Sequence, residues 1–336
     1  GGVAAAASNP SMPVLVSPDK LGRLSGIGWA AGYAGGLLSL VIMAGLIAAN
    51  PATGKTLLGI EPLISLDLAS REGDRLVGPF SAAWYLVFMV PFFLFVPDVR
   101  LTIRHDHAHR SAAAELWDTV KSLPRYPALL LFMLARMIYI DGLTAIFTFG
   151  GIYGAAVFGW QALELGIFGI VLTLTGAVGA VLGGVLDDRF GSKAIIMAAL
   201  AILIVGALGI LSVDKTHVLY WLDAPPKVAG SRPFTSLGEQ LFLAFSVDVG
   251  MVAAPVPAAR RALLARLDPR EKMTQFFGLF AFSGKVTAFM APLLVAAVTA
   301  ASASQRVGMA SIVLFLAVGM ALMAFVRTSG SHAAAT

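Results

Sequence analysis

Long apolar runs broken by short polar stretches dominate the chain. Eight of them match the roughly 20 residues that a helix needs to cross the hydrocarbon core of a bilayer. They are residues 26–49, 79–97, 127–156, 164–186, 194–212, 236–257, 274–299 and 308–326. Strands are not expected for these runs. An open sheet cannot satisfy its edges in lipid, and these runs are too long for the strands of a barrel. The pattern predicts an all-α membrane protein with eight transmembrane helices in this chain.

Composition agrees. Of 336 residues, 58% are hydrophobic and 13% charged, whereas a soluble domain carries about 25% charged residues. Too few polar residues remain to cover a water-facing surface. The absence of cysteine removes disulfide frameworks, thiol catalysis and cysteine-based zinc sites. The first ten residues, with neither a basic leader nor an initiator Met, read as a chain that begins mid-protein rather than as a signal peptide.

The net charge of +5 suggests nucleic acid until its distribution is read. Fifteen Lys and Arg fall on one alternating set of loops and termini, and seven on the other. Arg136 and Lys285 lie inside spans. A two-to-one bias in strict alternation is a topology signal. It orients the chain in the plasma or inner membrane with both of its ends cytoplasmic, and no nucleic-acid partner is expected.

Residues 50–78 form a long external loop and 98–126 a long cytoplasmic one. The second divides the chain into 1–97, the end of an N-terminal bundle with two spans, and 127–336, a six-helix bundle. Within it Leu116, Trp117, Val120 and Leu123 share one face of a short helix. That helix lies on the membrane surface or packs on the protein as a linker. His105, His107 and His109 alternate nearby. Such spacing suits a metal only on an extended segment, and no partner site is evident, so a solvated linker is expected and no metal site or cofactor.

Residues 184–196 read GVLDDRFGSKAII. One span ends at Gly184, Asp188 and Arg189 follow, Gly191 marks a turn, and Lys193 opens the next span. A carboxylate there can cap a helix N-terminus or pair with a base, and glycines let helices approach closely. Position by position this resembles the signature loop of the major facilitator superfamily. In that superfamily the loop lies between spans two and three and recurs between spans eight and nine. Four spans follow it here, so the resemblance implies spans five to twelve of an expected twelve. It also implies that the missing N-terminal spans belong to the same protein, and that 98–126 is the central loop.

Three stretches resemble a narrower branch, bacterial proteins similar to the fungal vacuolar amino-acid effluxer linked to autophagy. These are GRLSGIGWAAGYAGG (22–36), DGLTAIFTFGGIYGA (141–155) and FFGLFAFSGKVTAFMAPLL (276–294). The segment SNPSMPVLVSP (8–18) resembles the end of the branch's fourth span. APVPAARRALLARL (254–267) departs from the branch, which shows a Gln and a Ser–Arg–Ser run where this chain has Pro257, Arg260, Arg261 and Ala262.

Ionisable groups inside spans are costly and mark candidate transport residues. Asp141 sits mid-span with Thr144 and Thr148 at i+3 and i+7, one polar stripe on a helix. It carries a coupling proton or makes a helix–helix bond. Arg136, about 140° around the helix from it, binds a substrate carboxylate or snorkels to the cytoplasmic interface; snorkelling is the preferred reading. Lys285 anchors an anionic group or pairs with Asp141 or Asp248. Asp248 is the alternative proton carrier. Glu239, near an external helix end, is expected to be solvated. Gly28, Gly32 and Gly36 recur every four residues, as in tight helix packing.

The expected function is secondary active transport of a small solute by alternating access, with protons as candidate coupling ion. An amino-acid-like substrate follows only from the resemblance. A non-transporting sensor or truncated remnant is the alternative. No HExxH and no intramembrane histidine supports an enzyme.

Overall fold

The structure, a computed structural model, describes residues 16–48, 54–56, 58–67, 70, 72–95, 112–160, 162–227, 233–267 and 273–327. His105, His107 and His109 lie outside them. The helices in chain order are α1 (Leu21–Leu40), α2 (Glu72–Phe95), α3 (Ala112–Ser122), α4 (Pro127–Phe158), α5 (Ala162–Phe190) and α6 (Ser192–Leu211). A two-stranded hairpin follows, β1 (His217–Val218) and β2 (Leu222–Asp223). Then come α7 (Leu237–Ala253), α8 (Pro255–Leu267), α9 (Met273–Val286), α10 (Met290–Ser302) and α11 (Gln305–Ala324).

Among the described residues, seven helical stretches are long and apolar enough to cross a membrane. They fall on seven of the eight expected spans; α2 takes in the other as far as Phe95 but is not among the seven. Two spans are not single rods. The sixth continues through α7 and α8 to Leu267, interrupted at Ala254 where Pro255 opens α8. Proline removes a backbone donor and crowds the preceding turn, which breaks the helical ladder. The stretch after residue 257, expected as loop, is therefore helix. The seventh span breaks at residues 287–289, between α9 and α10.

The chain forms two compact units, Gly1–Ala30 with Arg104–Thr336, and Ala31–Ile103. The smaller holds the rest of α1, a π-helical turn at Val41–Ile47, and α2. On α2, Trp84 stacks on Phe80 and meets Phe88 at a tilt, each one turn away.

The larger unit is a helical bundle. α4 packs along α11, α5 on α7 and α8, and α6 on α7, α8 and α11. Its core runs from Phe132 and Tyr139 through Leu203 and Phe242 to Leu316. Lipid is as apolar as leucine, so helices in a bilayer associate through close packing rather than through apolar burial. Gly179 shows this. A Cβ there would collide with the carbonyl oxygen of Met251 on α7, a backbone atom that cannot rotate away. Gly179→Ala is expected to cost about 2 kcal/mol or more and to lower the midpoint of thermal unfolding by several degrees. An unchanged midpoint would show that α5 and α7 cross more loosely.

The helix α3 packs on the protein through Thr119, Ser122 and Leu123, which are buried, and leaves Trp117 and Val120 exposed. Lys121 sits over the Trp117 ring.

Candidate functional site

At the α5–α6 hairpin the charged motif acts on the start of α1. α5 runs to Phe190, Gly191 turns the chain with φ +84°, and α6 begins at Ser192. Asp188 accepts hydrogen bonds from the backbone N–H groups of Gly22 (2.8 Å) and Arg23 (3.0 Å). These are among the orphan donors that open any helix. A carboxylate there also meets the positive end of the helix dipole, an interaction of up to ~2 kcal/mol when partly buried. The approach is close enough that a Cβ on Gly22 would run into Asp187, and Gly26 and Gly184 meet backbone to backbone.

The same junction is tied at other points. Ser25 donates to the carbonyl of Ala258 on α8 (3.0 Å), and Arg261 donates through Nη2 to both the Ser25 hydroxyl (2.8 Å) and its carbonyl (3.1 Å). Arg266 bonds Ser192 (2.7 Å) and pairs with Asp187 (3.5 Å) and Asp188 (3.8 Å). Of the other motif residues, Lys193 donates to the carbonyls of Ala324 and Val326 at the end of α11. Arg189 is exposed over Phe190.

Several of these contributors were not singled out by the sequence. Asp187 is the deeply buried acid of the pair, at 1% exposure. Its signal was its spacing: it follows Gly183 by four residues and Gly184 by three, so it lies on the small-residue face that packs. The glycines that pack are Gly22 and Gly26. Gly28, Gly32 and Gly36, expected to pack, have no atoms within 4 Å of a built Cβ.

A second group lies within α4. Asp141 is 2% exposed. Its Oδ1 accepts a hydrogen bond from Thr287 (3.3 Å), in the break between α9 and α10, and its Oδ2 has no partner. Thr144 and Thr148 do not continue this site. Both are exposed, with hydroxyls bonded to their own helix at the Ile140 and Thr144 carbonyls. Thr148 is about 20° and Thr144 about 60° around the helix from Asp141, so the stripe keeps its line but runs from the enclosed carboxyl out to the exposed surface.

Arg136 does not snorkel. It is buried, its Nη1 donating to the Phe280 carbonyl and the Ser283 hydroxyl (2.8 Å), with the guanidinium 3.6 Å from the Phe280 ring centroid. Gly284 leaves the space it fills. Lys285 pairs with neither Asp141 nor Asp248. It is exposed in the last turn of α9. Asp248 is half-buried on α7, facing Gly206 of α6.

At the end of the bundle away from the α5–α6 hairpin, Glu239 is fully buried rather than solvated. It closes a capping box with Ser236, accepts from the Trp160 indole (2.8 Å) and pairs with Lys227 (2.9 Å). Lys227 also meets Glu164 (3.3 Å). Burial opposes the Lys227 ammonium, but hydrogen bonds to Glu239 and Glu164 outweigh it and raise its pKa above the ordinary lysine value. Among the described residues no three His, Cys, Asp or Glu side chains converge as a metal site would require.

The helical bundle, with its charged hairpin bonded to a helix N-terminus, shares its fold with a known membrane symporter. The structure of a variant of the Escherichia coli fucose:proton symporter FucP superimposes with a TM-score of 0.67. It covers 97% of this chain and 73% of that one at 14% identity. Residues 16–336 match the family described as vacuole effluxer Atg22-like, and the chain belongs to that family. A Bacillus subtilis protein named as the uncharacterized MFS-type transporter YxiO is 24% identical over 314 residues, 93% of this chain and 65% of that protein. Autophagy-related protein 22 of Cryptococcus neoformans is 25% identical over 305 residues, 88% of this chain and 51% of that one. The chain thus spans between half and two thirds of these relatives' lengths.

Proposed function

We propose that the protein is a secondary active transporter, not an enzyme, that moves a small solute across the cytoplasmic membrane by alternating access. The observation that carries this is the grip of Asp188 on the start of α1. A contact built from charge-assisted hydrogen bonds to a helix end is strong when made and leaves only solvated groups when broken. Such a contact suits a latch between two states. With the loops oriented by their Lys and Arg, the latch is on the cytoplasmic side, and its closure shuts that side.

Asp141 is the coupling group in this reading. An ionisable side chain enclosed in a span is expensive, and a carboxyl with one weak bond and one free oxygen is placed to take up and release a proton. The N-terminal spans implied by the superfamily resemblance complete the transport path, and the bilayer is the surrounding partner. Solute uptake into proteoliposomes of the full-length protein, driven by an imposed pH gradient, tests the reading. No uptake across a broad panel of small solutes, with or without the gradient, would overturn it.

A further inference from the structure

The flank of the α5–α6 hairpin carries an apolar groove that neither the latch nor Asp141 uses. It encloses about 200 Å³ between α5, α6 and the α7–α8 junction. Gly179 and Gly183, both buried, form its floor, because the Met251 carbonyl and the Pro255 ring stand where their side chains would be. Leu182, Leu186 and Ile202, all exposed, form its rim. Every residue that lines it is apolar. A solute site needs a few convergent polar groups, and this groove offers none. An open apolar groove on a helix long and apolar enough to cross a bilayer suits a hydrocarbon chain.

A charge stands at one end of it. Arg189 follows Leu182 by seven residues and Leu186 by three, so it lies within about 60° of both around α5. It is exposed and makes no ion pair among the described residues; its guanidinium lies 5.3 Å from the Phe190 ring centroid. The charges beside it are engaged elsewhere. Asp187 and Asp188 share Arg266, Asp188 holds the start of α1, and Lys193 is bonded to the end of α11. A guanidinium presents a planar fork of donors that matches a phosphate with two bonds at once. Basic residues beside spans at a membrane surface attract anionic headgroups.

The spacing fits one molecule. From Gly179 to Arg189 is ten residues, about 15 Å along α5 at 1.5 Å per residue. One leaflet supplies half of a hydrocarbon core about 30 Å thick. The turn at Gly191 comes two residues after Arg189, so the arginine stands where the apolar run ends. A phosphate held there lays its chain along the groove for the depth of a single leaflet.

The geometry points to a binding site for an anionic phospholipid, with the phosphate on Arg189 and one acyl chain against Gly179 and Gly183. Asp187 and Asp188 directly follow Leu186 of the rim, so the bound lipid braces the hairpin that grips α1.

Purified full-length protein, stripped of lipid in a neutral detergent, tests this by native mass spectrometry with dioleoyl phosphatidylglycerol and dioleoyl phosphatidylcholine. Phosphatidylglycerol is expected to bind about fivefold more tightly, the factor that ~1 kcal/mol for one basic residue gives. Arg189→Gln removes that preference and Arg189→Lys keeps part of it. Ala198→Trp, on the groove wall, lowers retention of both lipids. Dihexanoyl phosphatidylglycerol, with the same headgroup and chains too short to fill the groove, binds at least about tenfold more weakly than the dioleoyl lipid; this reading needs no variant. Equal retention of the two dioleoyl lipids, an unchanged preference in Arg189→Gln, unchanged retention in Ala198→Trp, or equal binding of short and long chains overturns the assignment. A thermal shift with glycerol 3-phosphate alone that matches the lipid's would make Arg189 a site for free phosphate and overturns it too. No lipid retained at all would mean that the N-terminal spans or a second copy cover the groove, with the same consequence. Solute uptake is scored separately, so the transporter reading stands or falls apart from these results.

Discussion

Asp141→Asn abolishes solute flux driven by a pH gradient while leaving the protein folded and abundant; that is the expected result. The substitution is nearly isosteric. The asparagine oxygen still accepts the Thr287 hydroxyl that Asp141 accepts now at 3.3 Å, so the contact between α4 and the broken span survives. What is lost is the acid. An amide does not take up or release a proton, and a coupling cycle that needs both cannot turn. Equilibrium exchange of solute, which needs no net proton movement, is expected to be much less affected. Proteoliposomes give both readings from one preparation. Unchanged gradient-driven flux in Asp141→Asn would remove Asp141 from the mechanism and leave Asp248 as the alternative.

Arg266→Met should produce the largest loss of stability. Asp187 is 1% exposed, and Arg266 is its cation at 3.5 Å. Its Oδ2 has no hydrogen-bond partner even in the intact protein. Removing one member of a buried pair strands the other, at a cost of roughly 3–5 kcal/mol. Arg266 is partly exposed, which places the expected loss near the low end, about 3 kcal/mol. The thermal midpoint falls markedly, and adding Asp187→Asn to Arg266→Met recovers much of it because the stranded charge is gone. If the double variant is no more stable than the single one, the buried charge is not what the arginine serves.

The helical class and the superfamily were legible in the sequence because each rests on a local property. Bilayer thickness fixes the length of an apolar run, and the hairpin motif is contiguous. The breaks were less visible. Pro255 signals the interruption at the start of α8, but the helix beyond it is polar enough to read as loop. The break at 287–289 has only Pro292 nearby as a local cue, and it is defined by a contact with Asp141, 146 residues away. Glu239 was misread for the same reason. Its cation, Lys227, and its indole donor, Trp160, come from other segments, and only the capping box was local. The meeting of Gly22 and Gly26 with Gly184 was not visible either, since periodicity finds a face but not which neighbour it meets.

The central claim is that the Asp188 contact opens and closes as the protein works. Spin labels at Ile27 and Phe190, both exposed on elements flanking the latch, report it directly as a distance distribution in reconstituted full-length protein. Two populations are predicted, the shorter one the latched state. Their ratio shifts with pH and solute, and Asp188→Asn moves it toward the longer distance. A single distance that ignores pH, solute and Asp188→Asn alike would contradict the account.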